Sequence, residues 1–183
     1  MEPTPRISIV LPTRNGVGTL PALLDAIACQ RVDGPVEIIV VDSSSTDGTA
    51  ALVRDRVSQF VSIPVSTFDH GLTRNLGISR ARGELIVLLV QDALPASDGW
   101  LKALAAPFSA DIRLAGTFAR QLPRQTASAL TRHYLSRWQA SSEVARTVEV
   151  AGRAEFEALD PQARLDRCTF DNVCSCIRRT VWH

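Results

Sequence analysis

The sequence predicts an α/β fold with a mostly parallel, doubly wound sheet flanked by helices. Short runs rich in β-branched residues alternate with segments whose apolar residues recur at helical spacing. The segment Glu84–Val90 is almost wholly apolar, which is typical of a strand buried on both faces. The connections are short, and right-handed crossovers bring the loops that follow the strands to one edge of the sheet. The sequence therefore predicts a pocket at that edge.

Two prolines mark the first strand and the first helix. The β-branched run Arg6–Leu11 is closed by Pro12 and predicts the first strand. Pro21 then falls in the first turn of a helix, for which Thr19 is the expected N-cap. Apolar residues at helical spacing, up to Ile27, place one face of this helix on the sheet.

The second and third strands follow the same pattern. Val36–Val41 predicts a strand that ends on Asp42, and the polar segment Ser43–Thr49 leads into a second helix. Phe60–Val65 predicts a short third strand. Pro64 within it favours an edge position, because proline cannot donate a hydrogen bond to a neighbouring strand.

The later elements are less regular. Gly71–Ala81 predicts a helix with Leu72, Leu76 and Ile78 facing inward, before the strand Glu84–Val90. Trp100–Phe108 predicts a helix, and Ile112–Phe118 predicts a strand. The remaining expected elements are a helix at Ser128–Trp138, a polar connection with one short helix at Ser141–Asp166, and a last strand at Phe170–Ile177.

The composition excludes several classes of partner. The formal net charge of the 183 residues is +1, which argues against nucleic acid held by bulk electrostatics. No run approaches the roughly 20 apolar residues that a membrane helix needs, and the first residues lack the pattern of a secretion signal. We therefore expect a cytoplasmic protein without a transmembrane segment.

A lone carboxylate, Asp92, follows the buried strand Glu84–Val90. In open α/β sheets, ligands bind outside the carboxyl ends of the strands. An aspartate there can hold a hard divalent cation, which in turn can hold a diphosphate. The alternative is that Asp92 only caps a helix that begins near Asp98.

Asp42 ends the second strand at the same predicted edge. Its carboxylate can accept a hydrogen bond from a nucleobase N–H or a ribose hydroxyl. The alternative is that Asp42 and Ser43 cap the following helix, although the segment Thr46–Thr49 can cap it without them.

His70 and Arg74 lie where a predicted helix begins, and helix N-termini favour anions. The Arg74 guanidinium suits a phosphate. His70 can contact a diphosphate or a sugar hydroxyl, and the alternative for it is an ordinary half-buried loop histidine.

Several other mechanisms lack their motif. The chain has neither the Walker phosphate loop nor the Gly-x-Ser-x-Gly elbow of serine hydrolases. The segment Thr13–Gly18 after the first strand lacks the full three-glycine dinucleotide pattern. This disfavours an NAD-dependent oxidoreductase.

Three segments, taken in order, carry a resemblance to a known family. Ile9–Asn15, Ile38–Thr49 and Thr73–Gly77 resemble the inverting family 2 glycosyltransferases of the GT-A fold, the Rossmann-like fold of nucleotide-diphospho-sugar transferases. His70–Asn75 with Val90–Ala93 is most similar to the bacterial rhamnosyltransferase branch. Asp171–Arg179 is similar to that branch near its acceptor side. The resemblance implies a role in cell-surface polysaccharide biosynthesis.

The resemblance implies a nucleotide-sugar site at the predicted edge. Pro12, Thr13 and Asn15 would border the nucleotide. Asp42 would read the uracil or thymine ring, and Arg74 would approach the diphosphate. The full set of implied nucleotide-sugar contacts is Pro12, Thr13, Asn15, Asp42, Ser44, His70, Arg74, Gln91 and Asp92.

The chain departs from the family pattern at two places. Gln91-Asp92 replaces the family's Asp-x-Asp motif, whose first Asp falls at Val90 and whose second matches Asp92, so Asp92 is the one acidic ligand expected for Mg²⁺ or Mn²⁺. Such an ion would bind weakly, largely through phosphates and water. The family's general base lies beyond the segment Arg178–Trp182, after His183, so no catalytic residue is identified. We therefore expect a C-terminally truncated chain that transfers sugar feebly.

The resemblance also implies an organisation and a reaction. Residues 1–183 would form a single GT-A domain, with the nucleotide-binding half at about 1–120 and an incomplete acceptor-side part at about 121–183. The donor would be dTDP-rhamnose or a UDP-sugar, and the acceptor a glycan or a lipid-linked saccharide at the inner face of the membrane, with peripheral association. The alternative is a catalytically incomplete module that only binds nucleotide sugar.

Overall fold

A computed structural model describes residues 6–182, which contain one six-stranded sheet flanked by helices. Its strands are β1 (Ile7–Thr13), β2 (Val36–Asp42), β3 (Gln59–Ser62), β4 (Leu85–Leu89), β5 (Gly116–Phe118) and β6 (Cys174–Arg178). Their order across the sheet is β3-β2-β1-β4-β6-β5. β1 pairs in parallel with β2 and β4, β2 pairs in parallel with β3, and β6 runs antiparallel to β4. The mostly parallel α/β fold predicted from the sequence is confirmed.

Within the described residues, one α-helix lies between each successive pair of the first four strands, and the two later connections contain two and three α-helices. They are α1 (Leu20–Ala28), α2 (Thr49–Arg54), α3 (His70–Arg80), α4 (Trp100–Ala105), α5 (Pro107–Ala110), α6 (Ala129–Arg137), α7 (Arg153–Ala158) and α8 (Pro161–Cys168). Short 3₁₀ turns occupy Val65–Thr67, Gln139–Ser141 and Arg179–Val181. The inward face predicted for α1 is confirmed, because Leu20, Leu23, Leu24 and Ile27 are buried.

The core lies around the central strands β1, β2 and β4. All five residues of β4 are buried, as its apolar sequence predicted. Helix α3 approaches β1 closely through Gly77, since a Cβ atom there would lie 2.3 Å from Val10 Cγ1. This close packing fixes α3, and with it the residues of its first turn, beside the sheet.

The chain divides into two compact units. One contains residues 6–117 and 172–182, and the other contains residues 118–171. The first unit holds α1 to α5 and the strands from β1 to β4 with β6, and the second holds α6, α7 and α8. The last strand therefore returns to the first unit and does not continue the segment that precedes it.

β1 extends past its predicted end. Pro12 and Thr13 stay in the strand, where they pair with Val41 and Asp42 of β2. On its other side β1 pairs with β4 only as far as Val10. The missing N–H of Pro12 therefore removes no hydrogen bond to β4, which is why proline is tolerated there.

Three predicted boundaries in the middle of the chain are wrong. β3 ends at Ser62, although its edge position agrees with the signal from Pro64. The predicted helix Trp100–Phe108 is split into α4 and α5 at Pro107, which cannot donate the helical hydrogen bond. The strand expected at Ile112–Phe118 is confined to Gly116–Phe118, because Asp111 closes a turn by accepting the Arg113 N–H at 2.8 Å.

The remaining differences concern polar segments. Of the three residues expected to face inward from α3, Ile78 is buried and Leu76 is half-buried, but Leu72 is 66% exposed. Thr73 and Gly77 complete the inner face. The last strand begins at Cys174 and not at Phe170. The Asp171 carboxylate instead accepts hydrogen bonds within the second unit, at 2.6 Å from Gln121 Nε2. The expected connection Ser141–Asp166 contains α7 and most of α8.

Candidate functional site

The loops that follow β1 and β2 are joined by hydrogen bonds at the carboxyl edge of the sheet. The Asn15 N–H donates to Ser45 Oγ at 2.9 Å, and Asn15 Oδ1 accepts the Thr46 N–H at 2.9 Å. The Gly16 N–H donates to Thr49 Oγ1 at 2.8 Å. Asn15 holds a left-handed φ of 47°, a conformation that asparagine adopts more readily than most residues. The two loops therefore form one hydrogen-bonded layer.

Asp47 completes this layer just before α2 begins at Thr49. One carboxylate oxygen accepts the Val17 N–H at 3.1 Å, and the other accepts the Thr49 N–H at 3.0 Å. The hydrogen bond from the Thr49 hydroxyl lowers the pKa of the Asp47 carboxyl. The segment Thr46–Thr49 therefore serves the helix start, as the sequence indicated, and Asp42 does not.

Asp42 is buried and holds the same loops together. Its carboxylate accepts the Thr13 hydroxyl at 3.1 Å and the Ser45 N–H at 2.9 Å, and it also accepts the Ser45 hydroxyl. Its exposed fraction is only 2%. This geometry gives Asp42 a positioning role in place of the helix cap, and its contact with a nucleobase stays a prediction.

The first two of the three serines after Asp42 differ in whether their hydroxyls have a hydrogen-bond partner. Ser44 has a φ of 54° and donates its hydroxyl to the Ile63 carbonyl at 2.8 Å, which ties the loop to the end of β3. The Ser43 hydroxyl is fully buried and has no partner among the described residues. A buried hydroxyl without a partner calls for a ligand or a water molecule. The sequence did not single out Ser43, because three consecutive serines look alike without a structure.

Gln91 joins the loop after β4 to the loop after β1. Its Oε1 accepts the Arg14 N–H at 2.9 Å, and its Nε2 donates to the Arg14 carbonyl at 3.0 Å. Gly16 leaves the space for this pair, since a Cβ atom there would lie 2.8 Å from Gln91 Oε1. A carboxylate in place of the Gln91 amide could accept the Arg14 N–H, but it could not donate to the Arg14 carbonyl. The Arg14 guanidinium is left exposed beside the loops.

Asp92 follows directly and is exposed in a turn closed by the Ala93 N–H and the Val90 carbonyl at 3.2 Å. It does not cap the next helix, which begins at Trp100 with Gly99 as its N-cap. Across residues 6–182, no group of three or more His, Cys, Asp or Glu side chains is placed to hold a metal ion. Asp92 therefore offers a single carboxylate at this edge.

Helix α3 begins at the same edge. Asp69 is its N-cap and accepts the Leu72 N–H at 2.9 Å and the Gly71 N–H at 2.8 Å, which hold the pKa of its carboxyl below the ordinary value. His70 is exposed, with its ring edge-on to Phe68 at 4.9 Å between centroids. His70 is therefore accessible to a ligand and is not the half-buried loop residue of the alternative.

Arg74 lies one turn further along α3 and is half-buried. Its Nη1 donates to the His70 carbonyl at 3.0 Å, and its Nη2 lies 3.5 Å from the Asn172 carbonyl. Its Nε is buried without a partner. Burial lowers the pKa of the guanidinium, yet arginine stays charged at neutral pH. A buried cation with an unused donor is a site for an anion.

Backbone pairing connects Arg74 with the other loops. Asn172 is followed by Val173, whose carbonyl accepts the Val90 N–H at 3.1 Å. Val90 in turn precedes Gln91 and Asp92. The structure thus brings the loops after β1, β2 and β4 and the start of α3 to one edge. That edge offers hydroxyls, one exposed carboxylate and the guanidinium of Arg74, which suit a polar ring carrying a diphosphate.

A groove of about 410 Å³ lies elsewhere in the first unit. It borders the second half of α3, which ends just before β4 begins, so it lies toward the opposite edge of the sheet. None of the predicted site residues lines it. Its lining residues are Asn75, Ile78, Ser79, Ala81, Arg179, Thr180 and Trp182.

Comparison with known sequences matches most of this chain to one family. Residues 8–175 match Glycosyl transferase family 2. The chain is 37% identical over 180 residues to the O-antigen chain rhamnosyltransferase RfbN of Salmonella typhimurium, covering 97% of this chain and 54% of that protein. It is 31% identical over 131 residues to the O-antigen chain rhamnosyltransferase WbaN of Salmonella anatum, covering 70% of this chain and 41% of that protein. The chain thus spans about half the length of these relatives.

Solved structures share the fold. The mannosyltransferase PcManGT from Pyrobaculum calidifontis, in complex with GDP-Man and Mn²⁺, superposes with a TM-score of 0.62 at 24% identity, over 96% of this chain and 45% of that one. Glucosyl-3-phosphoglycerate synthase from Mycobacterium tuberculosis, in complex with UDP, superposes with a TM-score of 0.61 at 22% identity, over 96% of this chain and 57% of that one. The predicted GT-A fold is confirmed.

Proposed function

The chain belongs to Glycosyl transferase family 2, and we propose that it forms the donor-binding part of an inverting glycosyltransferase. The observation that carries the proposal is the hydrogen-bonded edge at which the loops after β1, β2 and β4 meet the guanidinium of Arg74. Such an edge presents a rigid polar surface and a cation to one ligand. A nucleotide-diphosphate sugar has the matching groups.

The proposed donor is dTDP-rhamnose or a UDP-sugar. The 37% identity with a protein named as a rhamnosyltransferase supports the first of these. We propose that Pro12, Thr13 and Asn15 border the nucleotide. Asp42 holds their loop in place, and we propose that it also reads the uracil or thymine ring.

The diphosphate is assigned to the start of α3. The Arg74 Nε is buried without a partner, and its guanidinium is held in place by two backbone carbonyls. We propose that this group binds the diphosphate and stabilises the charge that develops on it as the sugar leaves. His70, exposed one turn earlier, is proposed to contact the sugar or the diphosphate.

A divalent ion at this site would have one protein carboxylate as a ligand. Asp92 supplies one carboxylate, and the neighbouring Gln91 is committed to the backbone of Arg14. We propose that Mg²⁺ or Mn²⁺ binds to Asp92 together with the donor's phosphate oxygens and water. When bound, the ion would neutralise diphosphate charge. Metal binding should therefore be measurable with nucleotide and weak without it.

In the proposed reaction, an acceptor hydroxyl attacks the anomeric carbon as the bond from that carbon to the diphosphate oxygen breaks. The configuration inverts, the proton of the hydroxyl passes to a base, and the nucleotide diphosphate leaves. We assign the base to none of residues 6–182. The proposed acceptor is a glycan or a lipid-linked saccharide at the inner face of the membrane. Within the described residues, no helix is long and apolar enough to cross a bilayer.

Calorimetry with UDP and dTDP tests the donor site. Arg74→Gln should weaken binding of both diphosphates about tenfold and leave binding of uridine or thymidine unchanged, since a hydrogen bond to a charged group is worth about 1.5–3 kcal/mol. Arg80→Gln is the matched control, because Arg80 is an exposed arginine in the last turn of the same helix. Arg74→Lys should recover part of the loss.

Equal affinities in the Arg74 and Arg80 variants would overturn the role of Arg74. Absence of any nucleotide binding by the native chain would overturn the proposed function. A product assay with dTDP-rhamnose then separates transfer from the alternative, a module that binds nucleotide sugar without turnover.

A further inference from the structure

Helix α6 of the second unit carries an exposed apolar face. Leu130 is 64% exposed and Tyr134 is 68% exposed, and they lie four residues apart on one side of the helix. Trp138, a further four residues on, is 47% exposed. The helix buries none of its residues completely. A soluble surface helix normally turns such a stripe toward a core.

This exposure does not come from a frayed helix. Ser128 caps the start of α6 by accepting the Thr131 N–H at 3.1 Å. Arg132 donates from Nε to the Ala127 carbonyl at 3.1 Å. At the other end, the Trp138 indole N–H donates to the Asp171 carboxylate at 3.1 Å, which fixes the ring beside the helix. The exposed face is therefore a formed surface.

The segment that carries this face has no acidic residue of its own, although the Asp171 carboxylate accepts the Trp138 indole N–H. From Ile112 to Ser142 the sequence contains no aspartate or glutamate. Its cations include Arg132, His133 and Arg137 on α6 itself. Arg137 forms no ion pair with another described residue. Since the whole chain has a net charge of only +1, this segment is locally basic. Its complement is an anionic surface.

We propose that α6 docks on a bilayer surface that contains anionic lipid. Tyrosine and tryptophan favour the boundary between water and acyl chains, and an amphipathic helix with cations beside its apolar residues lies in that boundary. Leu130 and Tyr134 enter the interface, Trp138 sits at its margin, and Arg137, on the same side of the helix as Leu130, contacts the lipid headgroups. Docking of this kind would serve an acceptor at the membrane face, so its purpose rests on the proposed function.

Sedimentation of the chain with lipid vesicles tests this docking. Vesicles of phosphatidylcholine with phosphatidylglycerol should bind the chain, vesicles of phosphatidylcholine alone should bind it far less, and high salt should release it. Leu130→Gln with Tyr134→Gln should lower the partition coefficient at least about tenfold. Arg137→Gln should lower it about fivefold.

Two matched controls come from the same unit. Leu165 on α8 is 61% exposed, and Leu165→Gln should leave vesicle binding unchanged. Arg153 on α7 is also exposed but pairs with Glu157, and Arg153→Gln should have little effect. Circular dichroism of each variant checks that the fold is retained.

Absence of binding to the anionic vesicles would overturn the proposal, as would equal loss in the Leu130/Tyr134 and Leu165 variants. It would also be overturned if the native chain formed an oligomer that the Leu130/Tyr134 variant abolished, because the face would then join two copies. Calorimetry with UDP on the same preparations keeps the two proposals apart. A variant that binds nucleotide but not vesicles has lost docking alone.

Discussion

The hydrogen-bonded pair between the Gln91 side chain and the Arg14 backbone makes a direct prediction. Gln91→Leu keeps the approximate size of the side chain but removes both the acceptor at 2.9 Å and the donor at 3.0 Å. The backbone of Arg14 then has to find water. Because this pair joins the loop after β4 to the loop after β1, we expect the first loop to lose order and the nucleotide to bind more weakly.

The magnitude follows from the two bonds. Each neutral hydrogen bond contributes about 0.5–1.5 kcal/mol net, so the pair contributes roughly 2 kcal/mol to the ordered loop. Asn15, Gly16 and Val17 keep their own bonds to the loop after β2, and these limit the disorder. We therefore expect about 1.4 kcal/mol to appear in binding, which is a tenfold rise in the Kd for UDP or dTDP.

The assay is titration calorimetry with the metal chelated, so that Asp92 does not contribute. Gln30→Leu is the matched control. Gln30 also bridges backbone groups through its amide, donating to the Ser97 carbonyl at 2.9 Å and accepting the Leu101 N–H at 3.0 Å. It contacts none of the proposed site residues. Both variants should lose a similar amount of stability, and only Gln91→Leu should lose affinity.

Two results would refute this reasoning. Native affinity in Gln91→Leu would show that the loop after β1 holds its shape without the pair or does not contact nucleotide. An equal loss of affinity in Gln30→Leu would show that the effect is global destabilisation.

Three further predictions concern the metal, the core and the amino edge of the sheet. Asp92→Asn should abolish the gain in UDP affinity that Mn²⁺ produces, measured by calorimetry, and Asp55→Asn, at an exposed carboxylate after α2, should not. Gly77→Ala should lower the free energy of unfolding by about 1–3 kcal/mol and shift Tm down by several degrees, because its Cβ would lie 2.3 Å from Val10 Cγ1, whereas Gly18→Ala meets no atom within 4 Å. For Glu37, burial raises the pKa, but hydrogen bonds from Ser8 and Arg82 and the Arg82 charge outweigh it and hold the pKa below the ordinary 4.5. The contribution of Glu37 to the free energy of unfolding is therefore present above pH 4.5 and is lost as the pH falls through the lowered pKa. In urea titrations at several pH values, Glu37→Gln should lose less stability on acidification than the native chain does.

The fold could be predicted from the sequence where local signals and burial agree. β1, β2 and β4 are apolar because they are buried on both faces, and this pattern needs no partner to be recognised. β6 was placed less accurately, because its start depends on Asp171 being drawn to Gln121, a residue 50 positions away. In the second unit α7 and α8 contain no buried residue, so hydrophobic periodicity carried little information there, whereas the helix expected at Ser128–Trp138 is present as α6.

The candidate site shows the same limit. That Asp42, Arg74 and Asp92 lie at one edge follows from the parallel topology, which the sequence did predict. What each side chain does depends on partners far along the chain. The roles of Asp42 and Gln91 are set by Thr13 and Arg14, at separations of 29 and 77 residues. No sequence window contains such pairs.

Gln91 occupies the middle position of the segment Val90–Asp92 that replaces the family's Asp-x-Asp motif, and it orders the neighbouring loop. An aspartate or glutamate at this position could not donate to the Arg14 carbonyl. The glutamine makes both bonds and so orders the loop after β1 before any ligand arrives. A loop that is already ordered loses less entropy when it binds. Gln91 therefore preorganises the nucleotide loop, while we expect Arg74 to meet the charge of the diphosphate directly and Asp92 to do so only through a bound cation.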